Sequence, residues 1–165
     1  MKIKIAIIGL GYVGLPIALA ASKKYRTLGF DINSERILSL KKDVDINGEI
    51  NKQQLRKSKI NFTNDIQKLI SCNFYIITVP TPVKKNNEPD LEPLKKAVNI
   101  LVKVIKKGDV FVLESTVYPG LTREIIIKEI EKRKKFKLNI DFYAGYSPER
   151  INPGDKLNKF ENINK

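Results

Sequence analysis

The stretch that decides the fold is KIAIIGLGYVGLP, from Lys4 to Pro16, in which an apolar run meets the pattern G-x-G-x-x-G. The apolar run, predicted as the strand Ile3–Ile8, is typical of a strand that is covered on both faces. The glycine pattern follows at once and opens a helix predicted from Tyr12 to Lys24, which is the context that a dinucleotide-binding fingerprint requires. The stretch therefore predicts a phosphate-binding turn between a first strand and a first helix.

Each glycine of this turn has a predicted task. Gly9 allows the tight turn, Gly11 lets the backbone approach a diphosphate, and Gly14 lets the helix pack closely on the strand. The N–H groups and the dipole at the start of the helix then favour the anion. The alternative is that the glycines mark an ordinary tight turn without a ligand.

An acidic residue, Asp31, ends the second predicted strand about 20 residues after Gly11. A carboxylate there can accept hydrogen bonds from the adenosine ribose and repels a 2′-phosphate, so NAD is favoured over NADP. Arg36, in the next helix, can weaken this preference, stack on the adenine or pair with Asp31. Two alternatives remain: Asp31 only caps a helix, or the turn belongs to an S-adenosylmethionine methyltransferase, although the third glycine favours a dinucleotide.

Strand-length apolar runs alternate with helical patterns along the chain, which predicts one α/β domain over residues 1–165. We expect a Rossmann-like, doubly wound, mainly parallel sheet with helices on both faces. The predicted strands are Ile3–Ile8, Thr27–Asp31, Ile60–Phe62, Phe74–Val79, Val110–Glu114 and Asp141–Tyr146. The predicted helices are Tyr12–Lys24, Ser34–Lys41 capped by Asn33 or Ser34, Gln53–Lys57, Asn64–Ser71 capped by Thr63 or Asn64, a helix from the cap Asp90 to Lys106, and Leu121–Lys135. Residues 42–59 are the least readable part.

Polar residues follow three further predicted strands, where open α/β sheets bind their ligands. Thr81, between two prolines, can hydrogen-bond a cofactor, and Thr116 can face its nicotinamide side. After the last strand, Glu149 can act as an acid or base and Arg150 can bind a substrate. The alternatives are turn hydroxyls for the threonines and a salt bridge for the other two.

Composition limits the class of protein. The chain has 42% hydrophobic and 30% charged residues, as a globular domain does. No apolar run reaches the roughly 18–20 residues of a membrane span, and no cleavage site follows the first apolar run. A single cysteine, Cys72, excludes an intramolecular disulfide and suits the cytosol. We therefore expect a cytoplasmic protein with no membrane partner and no metal site.

The net charge of +13, from 31 Lys and Arg against 18 Asp and Glu, raises the question of nucleic acid. The lysines are spread along the whole chain and no aromatic residues are interleaved with them, which favours solvated helix faces. We predict no nucleic-acid partner. The charge can still attract a polyanionic small molecule such as NAD or a nucleotide sugar.

Six stretches together resemble the UDP-glucose/GDP-mannose dehydrogenase family, and most of all its branch that oxidises UDP-N-acetylhexosamines. They occur in the family's order over almost the whole chain and read KIAIIGLGYVGLP, GFDIN, FYIITVPTP, PDLEPL, GDVFVLESTVYPG and YSPERINPGDK. The resemblance implies NAD contacts at Tyr12, Val13, Asp31, Arg36, Thr81 and Thr116. It also places Thr116 near the reacting carbon, Glu149 in acid/base work on a thioester, and Arg150 and Ile151 at the substrate.

The resemblance implies a reaction as well: a sugar C6 hydroxymethyl group is oxidised to a carboxylate in two hydride transfers that use two NAD. A thiolate adds to the intermediate aldehyde, and the thioester formed by the second transfer is hydrolysed. The family's cysteine lies in a G-G-H-C-type motif, with a helping lysine, and neither motif is in this chain. Cys72 precedes its strand at the end opposite the binding edge and is predicted to be a structural thiol.

We therefore expect the N-terminal NAD-binding part of a longer, homo-oligomeric enzyme, without its central helix and its C-terminal UDP-binding domain. Such a part binds NAD but does not complete the oxidation, and the parent enzyme makes a UDP-uronic acid for surface polysaccharide such as capsule. One alternative is a β-hydroxyacid-type dehydrogenase, which shares the fingerprint but does not explain ESTVYPG or SPER. Another is a non-catalytic NAD-binding module.

Overall fold

The computed structural model describes residues 2–148 and contains one six-stranded sheet. Its order is β3-β2-β1-β4-β5-β6, and every neighbouring pair is parallel. The strands are β1 (Lys4–Ile8), β2 (Arg26–Phe30), β3 (Ile60–Thr63), β4 (Phe74–Ile77), β5 (Val110–Leu113) and β6 (Tyr143–Tyr146). The predicted doubly wound α/β fold is confirmed, and the sheet is parallel throughout this part of the chain.

Helices cover both faces of the sheet. They are α1 (Gly14–Ser22), α2 (Ser34–Lys41), α3 (Lys52–Lys57), α4 (Ile66–Leu69), α5 (Glu92–Val104), and a π-helical segment (Thr122–Ile127) that continues into α6 (Lys128–Lys134). Successive side chains of a strand point to opposite faces, and β1 is buried on both. Ile5 and Ile7 therefore join the apolar core under α1, α2 and α3, whereas Ala6 and Ile8 join the larger core under α4, α5 and α6.

The capping residues explain why the predicted start of α2 is correct and that of α4 is not. Asn33 caps α2 by accepting hydrogen bonds from the amides of Glu35 and Arg36. The prediction for α4 was wrong, because its cap is Asp65, whose Oδ1 accepts the Gln67 amide at 2.9 Å. A short side chain that bonds the amide two residues on stops the helix from extending backwards.

The long helix α5 also begins later than predicted. Asp90 does form a hydrogen bond with the first turn of α5, since its Oδ1 accepts the Glu92 amide at 3.0 Å. The cap position, however, is occupied by Leu91. Similarly, α1 begins at Gly14 and not at Tyr12, so the preceding residues of the glycine turn stay outside the helix.

Cys72 lies at the amino end of β4, on the edge of the sheet away from the glycine turn. Only 3% of it is exposed, and burial raises the pKa of its thiol. The placement agrees with the prediction of a structural thiol, because a buried thiol with a raised pKa is a poor nucleophile.

Residues 2–148 contain neither a candidate membrane span nor a candidate metal cluster. No helix there combines the length and the apolar character that crossing a bilayer requires. Likewise, no three His, Cys, Asp or Glu side chains in that range are grouped as metal ligands.

Candidate functional site

A crevice of about 460 Å³ lies at the carboxyl ends of β1, β2 and β4. The chain passes from β1 to β2 on one side and later returns to β4 on the other, so the crevice stands where the strand order reverses. Open α/β sheets bind their ligands at this point. Its lining includes Gly9, Gly11, Asp31, Ile32, Arg36 and Thr78.

The glycine turn forms the floor of this crevice. Gly9 has φ +99°, a backbone conformation that side chains with a Cβ rarely adopt. A Cβ added at Gly14 would overlap the carbonyl oxygen of Gly9 and the side-chain oxygen of Thr78. A Cβ added at Gly11 would meet no heavy atom within 4 Å. Gly9 and Gly14 are thus required by the fold, whereas Gly11 leaves space that a ligand can enter.

The amide groups at the start of α1 are placed for an anion. The Leu15 amide donates to Gly11 O at 3.1 Å, which makes it the first N–H of the helical ladder. In general, the first amides of an α-helix have no acceptor within the helix, and the helix dipole adds positive potential at that end. The open side of Gly11 therefore faces a region that favours a diphosphate.

Thr78 is a residue that the sequence reasoning missed. Its hydroxyl donates to Gly9 O at 2.7 Å, and its own amide donates to Ile8 O at 2.9 Å, so the end of β4 is tied to the turn. Only 6% of Thr78 is exposed. A signal was present, because Thr78 is the first polar residue after the apolar run of its strand.

The carboxylate of Asp31 lies at the end of β2, where it accepts hydrogen bonds from two backbone amides. The Leu10 amide donates to Oδ2 and the Asn33 amide donates to Oδ1, both at 2.9 Å. Each oxygen keeps acceptor capacity for a further donor, such as a ribose hydroxyl. Beside it, Ile32 is 64% exposed and offers an apolar surface at the same end of the crevice.

Arg36 does not form the pair with Asp31 that was one of its three alternatives. Its Nε donates to Leu10 O at 3.0 Å, and its Nη1 donates to Asp45 Oδ1 at 2.6 Å. Its side chain is 8% exposed and lines the crevice. Asp45, from the segment that the sequence left unreadable, is thus a second residue that the sequence reasoning missed.

The two predicted residues inside the glycine pattern lie partly in the core. Val13 is 5% exposed and packs in the apolar core under α1, and Tyr12 is half-buried against the same core. The side chain of Val13 is therefore occupied by packing, and contact with a ligand would use its backbone.

Thr81 and Thr116 are brought together from two loops. The Thr81 hydroxyl donates to Thr116 O at 2.6 Å, and the Ser115 hydroxyl donates to Val79 O at 2.7 Å. These bonds join the loops that follow β4 and β5, which is the structural role that the turn-hydroxyl alternative predicts for Thr81. Glu149, Arg150 and Ile151 lie outside the described residues.

The strand order, the glycine turn and the carboxylate at the end of β2 together define a dinucleotide-binding domain of the doubly wound class. Residues 3–165 match the family model described as "UDP-glucose/GDP-mannose dehydrogenase family, NAD binding domain". The chain belongs to this family and forms its NAD-binding domain.

Individual relatives agree with this assignment. The chain is 51% identical over 165 residues to the UDP-N-acetyl-D-glucosamine 6-dehydrogenase of Salmonella typhi, covering 99% of this chain and 39% of the relative. It is 48% identical to the enzyme of the same name from Pseudomonas aeruginosa, with the same coverage. The solved UDP-D-ManNAc dehydrogenase of Pyrococcus horikoshii superposes with a TM-score of 0.84 at 35% identity, covering 92% of this chain and 37% of that one. The chain thus spans about 39% of the length of these first two relatives.

Proposed function

We propose that this domain serves an NAD-dependent nucleotide-sugar 6-dehydrogenase that oxidises the C6 hydroxymethyl group of a UDP-N-acetylhexosamine to a carboxylate in two steps. The observation that carries the proposal is the crevice itself, which is lined both by the open side of Gly11 and by Asp31 at the end of β2. The names of the similar enzymes support the substrate class.

The residues present fit NAD. The amides at the start of α1 would hold the diphosphate, Asp31 would accept the adenosine ribose hydroxyls, and Ile32 would pack against the adenine. Gly9 and Gly14 would shape the turn, with Tyr12 and Val13 contributing at its rim. When bound, NAD supplies the acceptor for the hydride that leaves the sugar carbon.

The loops after β4 and β5 would form the reacting end. The bond between the Thr81 hydroxyl and Thr116 O joins the two loops at the carboxyl edge of the sheet. The family resemblance would place both threonines at the nicotinamide and Thr116 beside the reacting carbon. Glu149 would do the acid/base work on the thioester, and Arg150 with Ile151 would contact the UDP-sugar. These roles rest on the family resemblance.

The parent protein would supply what this chain does not contain. The second oxidation needs a thiolate beside the reacting carbon, and Cys72 is buried at the opposite edge of the sheet. The reactive thiol would therefore belong to another part of the enzyme. The family resemblance adds a helping lysine and a UDP-binding domain there, in a cytoplasmic homo-oligomer. Its product would be a UDP-uronic acid for surface polysaccharide.

The variant Gly11→Ala tests the proposed diphosphate position. Its Cβ fits the fold but occupies the space beside the first amides of α1, so NAD should bind at least about tenfold more weakly. Calorimetric titration with NAD measures the affinity, and thermal unfolding checks that the melting temperature is unchanged or raised. Unchanged NAD affinity in the folded variant would place the diphosphate elsewhere.

The 165-residue chain, mixed with NAD and UDP-N-acetylglucosamine, is expected to give no sustained formation of NADH, as followed by absorbance. The reason is that the family resemblance assigns the UDP-sugar pocket to another part of the enzyme, and that Cys72 is buried at the edge of the sheet opposite the crevice. The variant Cys72→Ala is the matched control and should behave identically. Sustained NADH without a carboxylate product would contradict the placement of the UDP-sugar pocket in another part of the enzyme, because the first oxidation needs no thiol. Formation of the UDP-uronic acid by the wild-type chain would contradict the proposal that the reactive thiol lies elsewhere.

A further inference from the structure

A buried ion pair stands behind the adenosine end of the crevice. Arg36 is bound on one side by Leu10 O, through Nε, and on the other by the carboxylate of Asp45, through Nη1 at 2.6 Å. The side chain of Asp45 is fully covered and that of Arg36 is 8% exposed. Since both groups are removed from water, their mutual attraction is stronger than that of a surface pair, and separating them leaves a buried charge.

Asp45 also organises the loop that carries it. Its Oδ1 accepts the Asn47 amide at 3.1 Å and its Oδ2 accepts the Ile50 amide at 2.9 Å. Three donors therefore converge on one carboxylate, and Asn47 in turn lines the crevice. The position of the guanidinium is set by these bonds, because a planar group held at two of its nitrogens has little freedom to turn.

The position of this arginine bears on cofactor choice. A guanidinium near the end of β2 can pair with a 2′-phosphate, whereas a carboxylate there repels one. Here Arg36 pairs with Asp45 and not with Asp31, whose carboxylate accepts backbone amides and keeps its charge unpaired by this cation. Held by Asp45 and by Leu10 O, Arg36 has two of its three nitrogens already bonded.

We propose that Asp45 is a specificity-determining residue that makes this crevice select NAD over NADP, by holding Arg36 away from the place where a 2′-phosphate would lie. The inference rests on the proposed NAD site and deepens it. Asp31 repels the 2′-phosphate, and Asp45 keeps the nearby cation from offsetting that repulsion. Asp45 is therefore a positioning residue that acts through Arg36.

The test is a double-mutant cycle with two ligands. Dissociation constants for NAD and NADP are measured by calorimetry for the wild type, Asp45→Asn, Arg36→Met and the double variant. We expect Asp45→Asn to lower the ratio of the NADP constant to the NAD constant at least about tenfold. In the Arg36→Met background, Asp45→Asn should leave the ratio of the NADP constant to the NAD constant unchanged. The reason is that the guanidinium that Asp45→Asn would release is then absent.

Two further variants separate charge from loop structure. Asp45→Glu keeps a carboxylate for Arg36 and should preserve the preference for NAD. Asp45→Ser carries no charge but retains an oxygen for a loop amide, and it should lower the ratio as Asp45→Asn does. Melting temperatures show which variants are folded.

Several outcomes would overturn the proposal. It is wrong if the wild type binds both cofactors equally, whatever the variants do, or if the ratio is unchanged in folded Asp45→Asn. A fall of the ratio that persists in the Arg36→Met background would assign the effect to loop damage. A wild type that binds neither cofactor would instead refute the proposed function, which is a different result from loss of selectivity.

Discussion

Gly14→Ala is expected to lower the free energy of unfolding by about 2–3 kcal/mol and to weaken NAD binding at least about tenfold. The added Cβ would overlap Gly9 O, a backbone atom, as well as Thr78 Oγ1. Neither group can move away easily, because both are held by backbone hydrogen bonds. The Gly9 amide donates to Phe30 O at 2.9 Å, and the Thr78 amide donates to Ile8 O. Alanine improves helix propensity by only about 1 kcal/mol, which is too little to offset the overlap.

Urea unfolding and calorimetric titration with NAD measure these two effects of Gly14→Ala. Gly11→Ala is the matched control, because the same atom added three residues earlier should spare stability and weaken binding alone. The double variant Gly14→Ala/Thr78→Ala should not recover, because the backbone oxygen of Gly9 is the nearer obstacle. Wild-type stability in Gly14→Ala would mean that α1 does not pack against the turn as described.

Asp31→Ala is expected to weaken NAD binding at least about tenfold, which corresponds to about 1.4 kcal/mol. The variant would lose the charge-assisted bonds that we propose between Asp31 and the ribose hydroxyls. It also loses the two hydrogen bonds that the carboxylate accepts from the amides of Leu10 and Asn33, each at 2.9 Å. Since Leu10 lies in the glycine turn, this second loss can disturb the diphosphate contact as well.

Two comparisons with Asp31→Ala separate these causes by calorimetric titration with NAD. Asp31→Asn retains an oxygen for one backbone amide while removing the charge, so its remaining loss of affinity reports the ribose contact. Asp65→Ala is the matched control, because Asp65 likewise accepts an amide two residues on, at 2.9 Å, but lies at α4, outside the crevice lining. Equal NAD affinity in the wild type and in Asp31→Ala would reject the ribose contact.

Features that depend on neighbouring residues could be predicted from the sequence. The order of apolar strand, glycine pattern, helix and acidic strand end predicted the doubly wound class, and the structure confirms it. The segment Ser34–Lys41 was also predicted with the correct ends, because Asn33 is a local cap. The start of α4 was not, since Thr63, Asn64 and Asp65 are all good capping residues and their local chemistry is similar.

Side-chain contacts between a helix and a loop, or between two loops, could not be predicted in the same way. The partner of Arg36 turned out to be Asp45, in a segment without apolar periodicity, and the hydroxyl of Thr81 bonds the backbone of Thr116. A pattern of neighbouring residues contains no information on which of several carboxylates or carbonyls lies within reach of a long side chain.

By itself, therefore, the sequence determined the glycine turn between the first strand and the first helix, the acidic end of the second strand and the class of fold. These follow from backbone freedom, hydrophobic period and capping, all of which act over a few residues. Only the tertiary structure decided that Thr78 closes the turn on Gly9 and that Asp45 holds Arg36. The first contact joins residues 69 positions apart, and such a contact exists only once the parallel strands have paired and aligned their carboxyl ends.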